Sequence, residues 1–167
     1  AHQVSLLTRR AYIRQIASPS FSPSKTLAKA LLAQLPFEMT QAQKRVSKEI
    51  VTDLKQNRPM LRLVQGDVGA GKTLVAAVAA CHTLEAGWQV ALMAPTEILA
   101  EQHYLNFKRW FEPLGIQVAW LSGKQKGKAR TQAELTIKTG EAQLVVGTHA
   151  LFQDTVEFAK LGLVIID

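Results

Sequence analysis

The feature that most restricts the fold is a glycine-rich segment, Gly66-Asp67-Val68-Gly69-Ala70-Gly71-Lys72-Thr73. It matches the pattern G-x-x-x-x-G-K-[ST] at every position, and it lies between the apolar segments MLRLVQ and LVAAVAACHTL. Glycines let a backbone close around phosphate oxygens, and the start of a following helix adds a partial positive charge. We therefore predict a phosphate-binding loop between a strand and a buried helix. The alternative is a glycine-rich turn in which Lys-Thr occurs by chance.

The last two residues of this segment fit the chemistry of such a loop. Lys72 can reach the β- and γ-phosphates of a nucleotide, and the Thr73 hydroxyl can bind Mg²⁺. A phosphate-loop NTPase also needs an acid at the end of a neighbouring buried strand. The segment Leu163-Val164-Ile165-Ile166-Asp167 has that form. We predict that Asp167 helps to hold Mg²⁺; the alternative is a strand that simply ends in a polar residue.

The rest of the chain alternates between short apolar runs and longer helical patterns. Predicted strands are MLRLVQ, QVALMA, QVAWL, QLVVG and LGLVIID, with helices between most of them. Strands that are apolar on both faces and alternate with helices indicate a parallel sheet covered by helices, an α/β fold. We predict a helical linker over residues 1–35, broken by SPSFSPS at 18–24, and a nucleotide-binding domain over 36–167.

Composition excludes several classes of protein. The 167 residues are 47% hydrophobic, enough for a globular domain with its own core. The single cysteine, Cys81, excludes a disulfide framework and a zinc site made of cysteines, and it favours a reducing compartment. No run reaches the length of a membrane span, so we expect a cytoplasmic location. The net charge of +7 suits a polyanionic partner, although many proteins share such a surplus.

Several segments, in their order, resemble the RecG family of bacterial superfamily-two DNA helicases. They are FEMTQAQ, RLVQGDVGAGKTLVA, ALMAPTEILAEQH, WLSGKQKGKAR, VVGTHALFQ and LVIID, and together they cover the chain from about Leu35 to Asp167. The resemblance implies most of a first RecA-like motor domain, preceded by the linker. It also implies an ATP-dependent helicase or translocase that uses ATP and Mg²⁺ to remodel stalled forks and Holliday junctions.

The family's motifs assign roles to individual residues here. Lys72 and Asp167 are implied as catalytic. Nucleotide contacts are implied for Phe37, Gln43, Gly66, Asp67, Val68, Gly69, Ala70, Gly71, Lys72 and Thr73. DNA contacts are implied for Pro95, Thr96, Gly123, Lys124, Gly147 and Thr148.

Several of these assignments have a purely structural alternative. Gln43 matches the glutamine that reads adenine, but Thr40-x-x-Gln43 is also a capping box. Thr96 is also suited to cap a helix. A basic run that includes Lys124, with Lys126, Lys128 and Arg130, is equally typical of a solvated helix face. His103 and His149 are expected to be structural hydrogen-bonding residues, and neither is assigned a catalytic role.

The resemblance also implies partners. These are branched double-stranded DNA, a second RecA-like domain and a wedge domain of the same longer chain, with a single-stranded DNA-binding protein as a further candidate. A monomer is expected. In the family the last strand continues as D-E-x-H, so we expect this chain to be a piece that alone neither hydrolyses ATP nor unwinds DNA. The alternatives are a transcription-repair coupling factor, a primosome helicase, or a nucleotide-binding module without hydrolysis.

Overall fold

The computed structural model describes residues 18–21, 25–66 and 71–167. The helices are α1 (Thr26–Ala33), α2 (Gln41–Leu54), α3 (Lys72–Glu85), α4 (Glu97–Phe111) and α5 (Lys128–Thr139). The strands are β1 (Gln89–Met93), β2 (Val118–Leu121), β3 (Leu144–Gly147) and β4 (Leu161–Ile166). Short 3₁₀ turns occur at Glu112–Leu114 and His149–Phe152. The predicted helix within residues 1–17 lies outside the described residues.

The four strands form one parallel sheet in the order β2-β3-β1-β4. Helices lie against the sheet because each parallel crossover needs a long connection. β1 and β3 are buried over nearly their whole length, with Val90, Ala91, Leu144 and Val145 fully inaccessible. The predicted α/β fold with a parallel sheet flanked by helices is therefore confirmed.

Helix α3 is the most deeply buried helix among the described residues. Ten of its positions, from Leu74 to Leu84, are buried, as its apolar residues on nearly every side predict. Burial raises the pKa of the Cys81 thiol to about 12, so this cysteine behaves as a small core residue. A helix enclosed in this way holds its N-terminus, with Lys72 and Thr73, at a fixed place beside the sheet.

The predicted strand MLRLVQ is wrong for the described structure. Residues 60–66 carry no strand assignment, and Leu61 and Leu63 are 69% and 80% exposed. A run of apolar residues becomes a strand only where a neighbouring strand accepts and donates its backbone hydrogen bonds. The described ladders join β2 to β3, β3 to β1 and β1 to β4, and none of them includes this segment.

The buried side-chain amide of Gln89 joins three elements at the amino-terminal ends of the strands, opposite their carboxyl ends. The Gln89 Nε2 group donates to the carbonyl oxygens of Ile137 (2.9 Å) and Ala142 (2.8 Å). Its Oε1 accepts from the backbone N–H of Lys160 at 2.7 Å. Since a buried amide is costly unless its groups are paired, this arrangement fixes the end of α5 and the starts of β3 and β4 relative to β1.

The described residues before position 36 pack against the rest of the chain. Phe21 and Leu31 are buried in the same apolar cluster as α3, and the Phe21 ring lies 6.0 Å from that of Trp88. The N–H of Phe21 also donates to the carbonyl oxygen of Leu54 at 2.9 Å. This part of the predicted linker thus shares its core with the sheet, while the domain boundary at residue 36 stays a prediction.

None of the helices in the described part of the chain has the length and apolar character needed to cross a membrane.

Acid is expected to weaken the fold through His82, which is buried in α3 with an Nδ1 that makes no hydrogen bond to the described residues. Burial lowers the pKa of His82 from its ordinary value of 6.5; nearby Glu85 opposes this shift, and Lys25 and Lys55 add to it. The unfolded chain therefore binds this proton more tightly than the folded one. The stability due to His82 is complete above about pH 6.5 and falls as the pH drops below that value.

The measurement is the free energy of unfolding in urea at neutral pH and in mild acid. His82→Gln should show a smaller loss in acid than the wild type, whereas His149→Gln, a change at an exposed histidine, should show the wild-type loss. An equal loss in the His82→Gln variant and the wild type would contradict the prediction.

Candidate nucleotide and DNA site

The predicted site residues after the strands lie on one edge of the sheet. Met93 pairs with Gly147 and Ile166, and Leu121 also pairs with Gly147, so all four strands end at the same level. The residues that follow are Pro95 and Thr96 after β1, Gly123 and Lys124 after β2, Thr148 after β3, and Asp167 after β4. Ligands of open parallel sheets bind at this edge.

A cleft of about 360 Å³ lies beside β4. Lys72 and Thr73 line it from the start of α3 and Asp167 from the end of β4, together with Met60, Arg62, Leu63 and Val64. The Lys72 amine donates to the carbonyl oxygen of Gly66 at 3.0 Å. Asp67, Val68, Gly69 and Ala70, which the sequence predicts as the body of the phosphate loop, lie outside the described residues.

The donors in the cleft fit Mg²⁺ that is bound together with a nucleotide. Thr73 and Asp167 both line this cleft, and a hydroxyl and a carboxylate are hard oxygen ligands. Across residues 18–21, 25–66 and 71–167, no group of three or more His, Cys, Asp or Glu could hold a metal alone. Mg²⁺ commonly takes one or two protein ligands and completes its shell with phosphates and water. The residues present therefore fit the ion, with the nucleotide supplying the remaining ligands.

The structural alternative for Gln43 is present. Its Oε1 accepts from the backbone N–H of Thr40 (2.9 Å), and the Thr40 hydroxyl accepts from the N–H of Gln43 (3.2 Å), which completes a capping box. The Gln43 amide also donates to the carbonyl oxygen of Gly71 at 3.5 Å. Reading adenine would require Gln43 to exchange these bonds, so that role stays a prediction. Phe37, the other predicted base contact, is 53% exposed.

The backbone conformation at the start of α3 favours glycine at position 71. The φ of Gly71 is +77°, in the left-handed region, which side chains disfavour. An added Cβ would lie 1.8 Å from the Gln43 amide nitrogen, so the flexible Gln43 side chain would have to move. The predicted nucleotide residues Gln43 and Gly71 are therefore adjacent, although they are far apart in sequence.

Thr96 caps α4, as its structural alternative predicts. The Thr96 hydroxyl accepts from the N–H of Leu99 at 3.3 Å, and both Pro95 and Thr96 are exposed. The exposed start of a 15-residue helix provides N–H groups and a partial positive charge to an anion. The cap and a contact with a DNA phosphate are thus compatible at this position.

The loops after β2 and β3 are joined to each other. The N–H of Gly123 donates to the Thr148 hydroxyl at 3.3 Å, and the N–H of Thr148 donates to the carbonyl oxygen of Leu121 at 3.2 Å. Thr148 is only 3% exposed, whereas Gly123 and Lys124 are exposed. The Thr148 side chain is therefore directed inward and holds the Gly123 loop. Direct DNA contact by Thr148 stays a prediction that this orientation does not favour.

The basic run after β2 divides into two kinds of residue. Arg130 donates to Glu134 (2.9 Å), to the carbonyl oxygen of Ser122 (3.2 Å) and to Gln153 (2.5 Å). Its guanidinium group therefore binds other groups of this chain and stabilises the loop after β2. Lys124, Lys126 and Lys128 are exposed, so they are the side chains of this run that remain available to phosphates.

Sequence reasoning assigned no catalytic role to His103, and the structure places it against Asp167. The His103 Nε2 lies 2.6 Å from Asp167 Oδ2. The two residues are 64 positions apart, on α4 and after β4, so no local pattern in the sequence could have joined them. The sequence could indicate only that His103 lies on α4, four residues before the buried Phe107.

The sequence model of the DEAD/DEAH box helicase family matches residues 40–167. The chain belongs to this family. It is 56% identical over all 167 residues to the ATP-dependent DNA helicase RecG of Escherichia coli and 58% identical to that of Pasteurella multocida. In both cases it spans 24% of the relative's length. The resemblance to RecG noted in the sequence is therefore confirmed.

A solved structure of RecG bound to a three-way DNA junction has the same fold over most of the chain. The TM-score is 0.90 at 40% identity, and the match covers 97% of this chain and 22% of that one. The chain thus corresponds to about a quarter or less of the proteins that it resembles, and the match confirms the RecA-like fold.

Replacing Gly147 with alanine is expected to destabilise the fold and disturb the two joined loops. A Cβ at Gly147 would lie 1.8 Å from the carbonyl oxygen of Leu121, an atom fixed by the sheet. Overpacking of this kind costs about 1–3 kcal/mol or more. Urea unfolding of Gly147→Ala measures the loss, with Gly123→Ala as the control because a Cβ at Gly123 meets no atom within 4 Å. Equal stability of the two variants would contradict this account of Gly147.

Proposed function

We propose that this chain is part of the first motor domain of an ATP-dependent DNA helicase or translocase that remodels branched DNA. The observation that carries the proposal is the arrangement of one sheet edge. Lys72, Thr73 and Asp167 line a nucleotide-sized cleft at one end of that edge. Exposed Thr96 and Lys124 follow β1 and β2, the two strands that flank β3.

In this proposal, ATP binds in the cleft beside β4. Lys72 releases the carbonyl oxygen of Gly66 and contacts the β- and γ-phosphates, while the N-terminus of α3 contributes its partial positive charge. Thr73 and Asp167 hold Mg²⁺, which neutralises charge on the phosphates when it is bound. Adenine lies near Phe37 and Gln43. The Gln43 amide then gives up its hydrogen bond with Thr40 and forms hydrogen bonds with the base.

DNA binds across the ends of β1 and β2 through its phosphates. The exposed start of α4 at Thr96 and the backbone at Gly123 are the nearest donors, and Lys124 adds charge. Thr148 supports this surface by holding the Gly123 loop in place, and Gly147 lets β3 lie close to Leu121 at the end of β2. Because contacts with the sugar–phosphate backbone carry no direct base readout, we propose that the protein recognises the shape of DNA rather than its sequence.

The solved RecG structure is described as bound to a three-way DNA junction. This supports branched DNA as the substrate of the longer protein that contains this chain. We propose further that a second RecA-like domain closes over the cleft and that a wedge domain contacts the branch. We also propose a monomer in the cytoplasm, with single-stranded DNA-binding protein as a further partner.

The test of the proposed function is the ATPase rate of the full-length protein with a fork, a linear duplex or a single strand at one salt concentration. Forks should stimulate turnover most, Lys72→Ala should reduce it to background while retaining DNA binding, and the 167-residue chain alone should be inactive. Equal stimulation by all three DNAs would favour a related translocase, such as a transcription-repair coupling factor or a primosome helicase. Unchanged turnover in Lys72→Ala would refute the phosphate-loop assignment.

Replacing Lys124, Lys126 and Lys128 together with alanine is expected to weaken DNA binding equally for all sequences. Each lost phosphate contact should flatten the dependence of log K on log salt by about 1. The measurement is fluorescence anisotropy of one labelled fork across a salt series. A charge-matched control replaces Lys29, Lys48 and Lys138, which are exposed on α1, α2 and the last turn of α5. If the two triple variants show the same slope of log K against log salt, the basic run is a solvent-exposed face that does not contact DNA.

A further inference from the structure

Asp167 has a hydrogen-bonding partner whose position is unusually well fixed. The His103 Nε2 lies 2.6 Å from Asp167 Oδ2, and the His103 side chain is only 14% exposed, whereas that of Asp167 is 49% exposed. The carboxylate is therefore the more solvent-exposed partner, and the imidazole is the more buried one. The backbone of Asp167 is held separately, because its N–H donates to the carbonyl oxygen of Met93 at 2.9 Å.

The imidazole is held in place by the buried face of α4. Its ring meets the edge of Phe107 with centroids 6.5 Å apart, and Phe107 in turn stacks on Phe111 at 5.5 Å. Both phenylalanines are fully buried. Residues four apart on a helix lie on one face, so the three rings form a continuous column along α4. A column of this kind leaves His103 little freedom to follow a moving carboxylate.

The direction of the hydrogen bond follows from the chemistry of the two groups. An ionised carboxylate can only accept hydrogen bonds, so the His103 Nε2 must carry a hydrogen atom and donate a hydrogen bond to Oδ2. This leaves Oδ1 of Asp167 for a cation or for water. Both residues line the cleft that Lys72 and Thr73 also line.

We propose that His103 is a positioning residue that orients the Asp167 carboxylate for a divalent cation in the cleft. Carboxylates that bind metals are commonly oriented by a hydrogen bond from a neighbouring group, and loss of that neighbour typically costs 10–100-fold in metal affinity or activity. The inference rests on the proposed function of Asp167. It adds a residue that the sequence motifs do not assign.

A purely structural role for His103 makes a different prediction. If the contact only ties α4 to β4, its removal lowers the melting temperature and weakens nucleotide binding equally with and without Mg²⁺. If His103 orients the carboxylate, its removal weakens binding only when Mg²⁺ is present. The informative quantity is therefore the ratio of the affinity for a fluorescent ATP analogue in Mg²⁺ to the affinity in EDTA.

The experiment measures this ratio in the full-length protein for a set of matched variants. His103→Leu keeps an apolar contact with Phe107 but has no donor, and it should reduce the ratio about tenfold. His103→Gln places an amide nitrogen near the position of Nε2, and it should largely restore the ratio. His103→Asn also has an amide but is one methylene shorter, and it should fail to restore it. His149→Leu, at an exposed histidine outside the cleft, should leave the ratio unchanged.

The outcomes separate this inference from the proposed function. If Asp167→Asn leaves the ratio unchanged, Asp167 does not hold the cation and the metal assignment itself fails. If Asp167→Asn reduces the ratio but His103→Leu does not, the role of His103 is refuted and the metal assignment stands. If His103→Leu does not fold, the Gln and Asn variants decide: equal ratios overturn the inference, and a higher ratio in Gln supports it.

Discussion

The parallel pairing of β1 with β3 on one side and β4 on the other is the constraint on which the site depends. It places the residues after Met93, Gly147 and Ile166 at one level, although they come from distant parts of the chain. Gln89 secures the opposite end of the same strand through three hydrogen bonds of its side-chain amide. Because both ends of β1 are fixed, a change of register at β4 would remove Asp167 from the cleft and turn its neighbours to the wrong face.

The second constraint is the enclosure of α3. Its buried residues leave the helix no room to slide, so Lys72 and Thr73 hold a constant distance from the strand ends. Gly71 joins this helix to the capping box at Gln43, so these two predicted nucleotide residues are in direct contact.

Sequence patterns predicted the elements whose signals are local. The all-apolar run of α3, the cap at Thr96 and the apolar strands β1 to β4 each depend on residues within a few positions of one another. MLRLVQ failed because a strand also depends on a neighbour that its own residues cannot specify. In the site, the inward direction of Thr148 and the bond from His103 to Asp167 depend on contacts between loops and elements far apart in sequence. Gln43 had two interpretations, and its capping role is visible because it uses only Thr40.

Helix α4 links the two halves of the site. It begins at Thr96, which we propose as a phosphate contact, and it carries His103 two turns later, about 10 Å along its axis. Phe107 and Phe111 pack this helix into the core, and the two positions lie on one uninterrupted helix. A displacement of the Thr96 turn by bound DNA would therefore change the distance between His103 and Asp167. In the other direction, a cation that displaces Asp167 would act on α4 through the hydrogen bond to His103. Since coupling between two ligands is reciprocal, a DNA phosphate at Thr96 and a cation at Asp167 would each affect the binding of the other through α4.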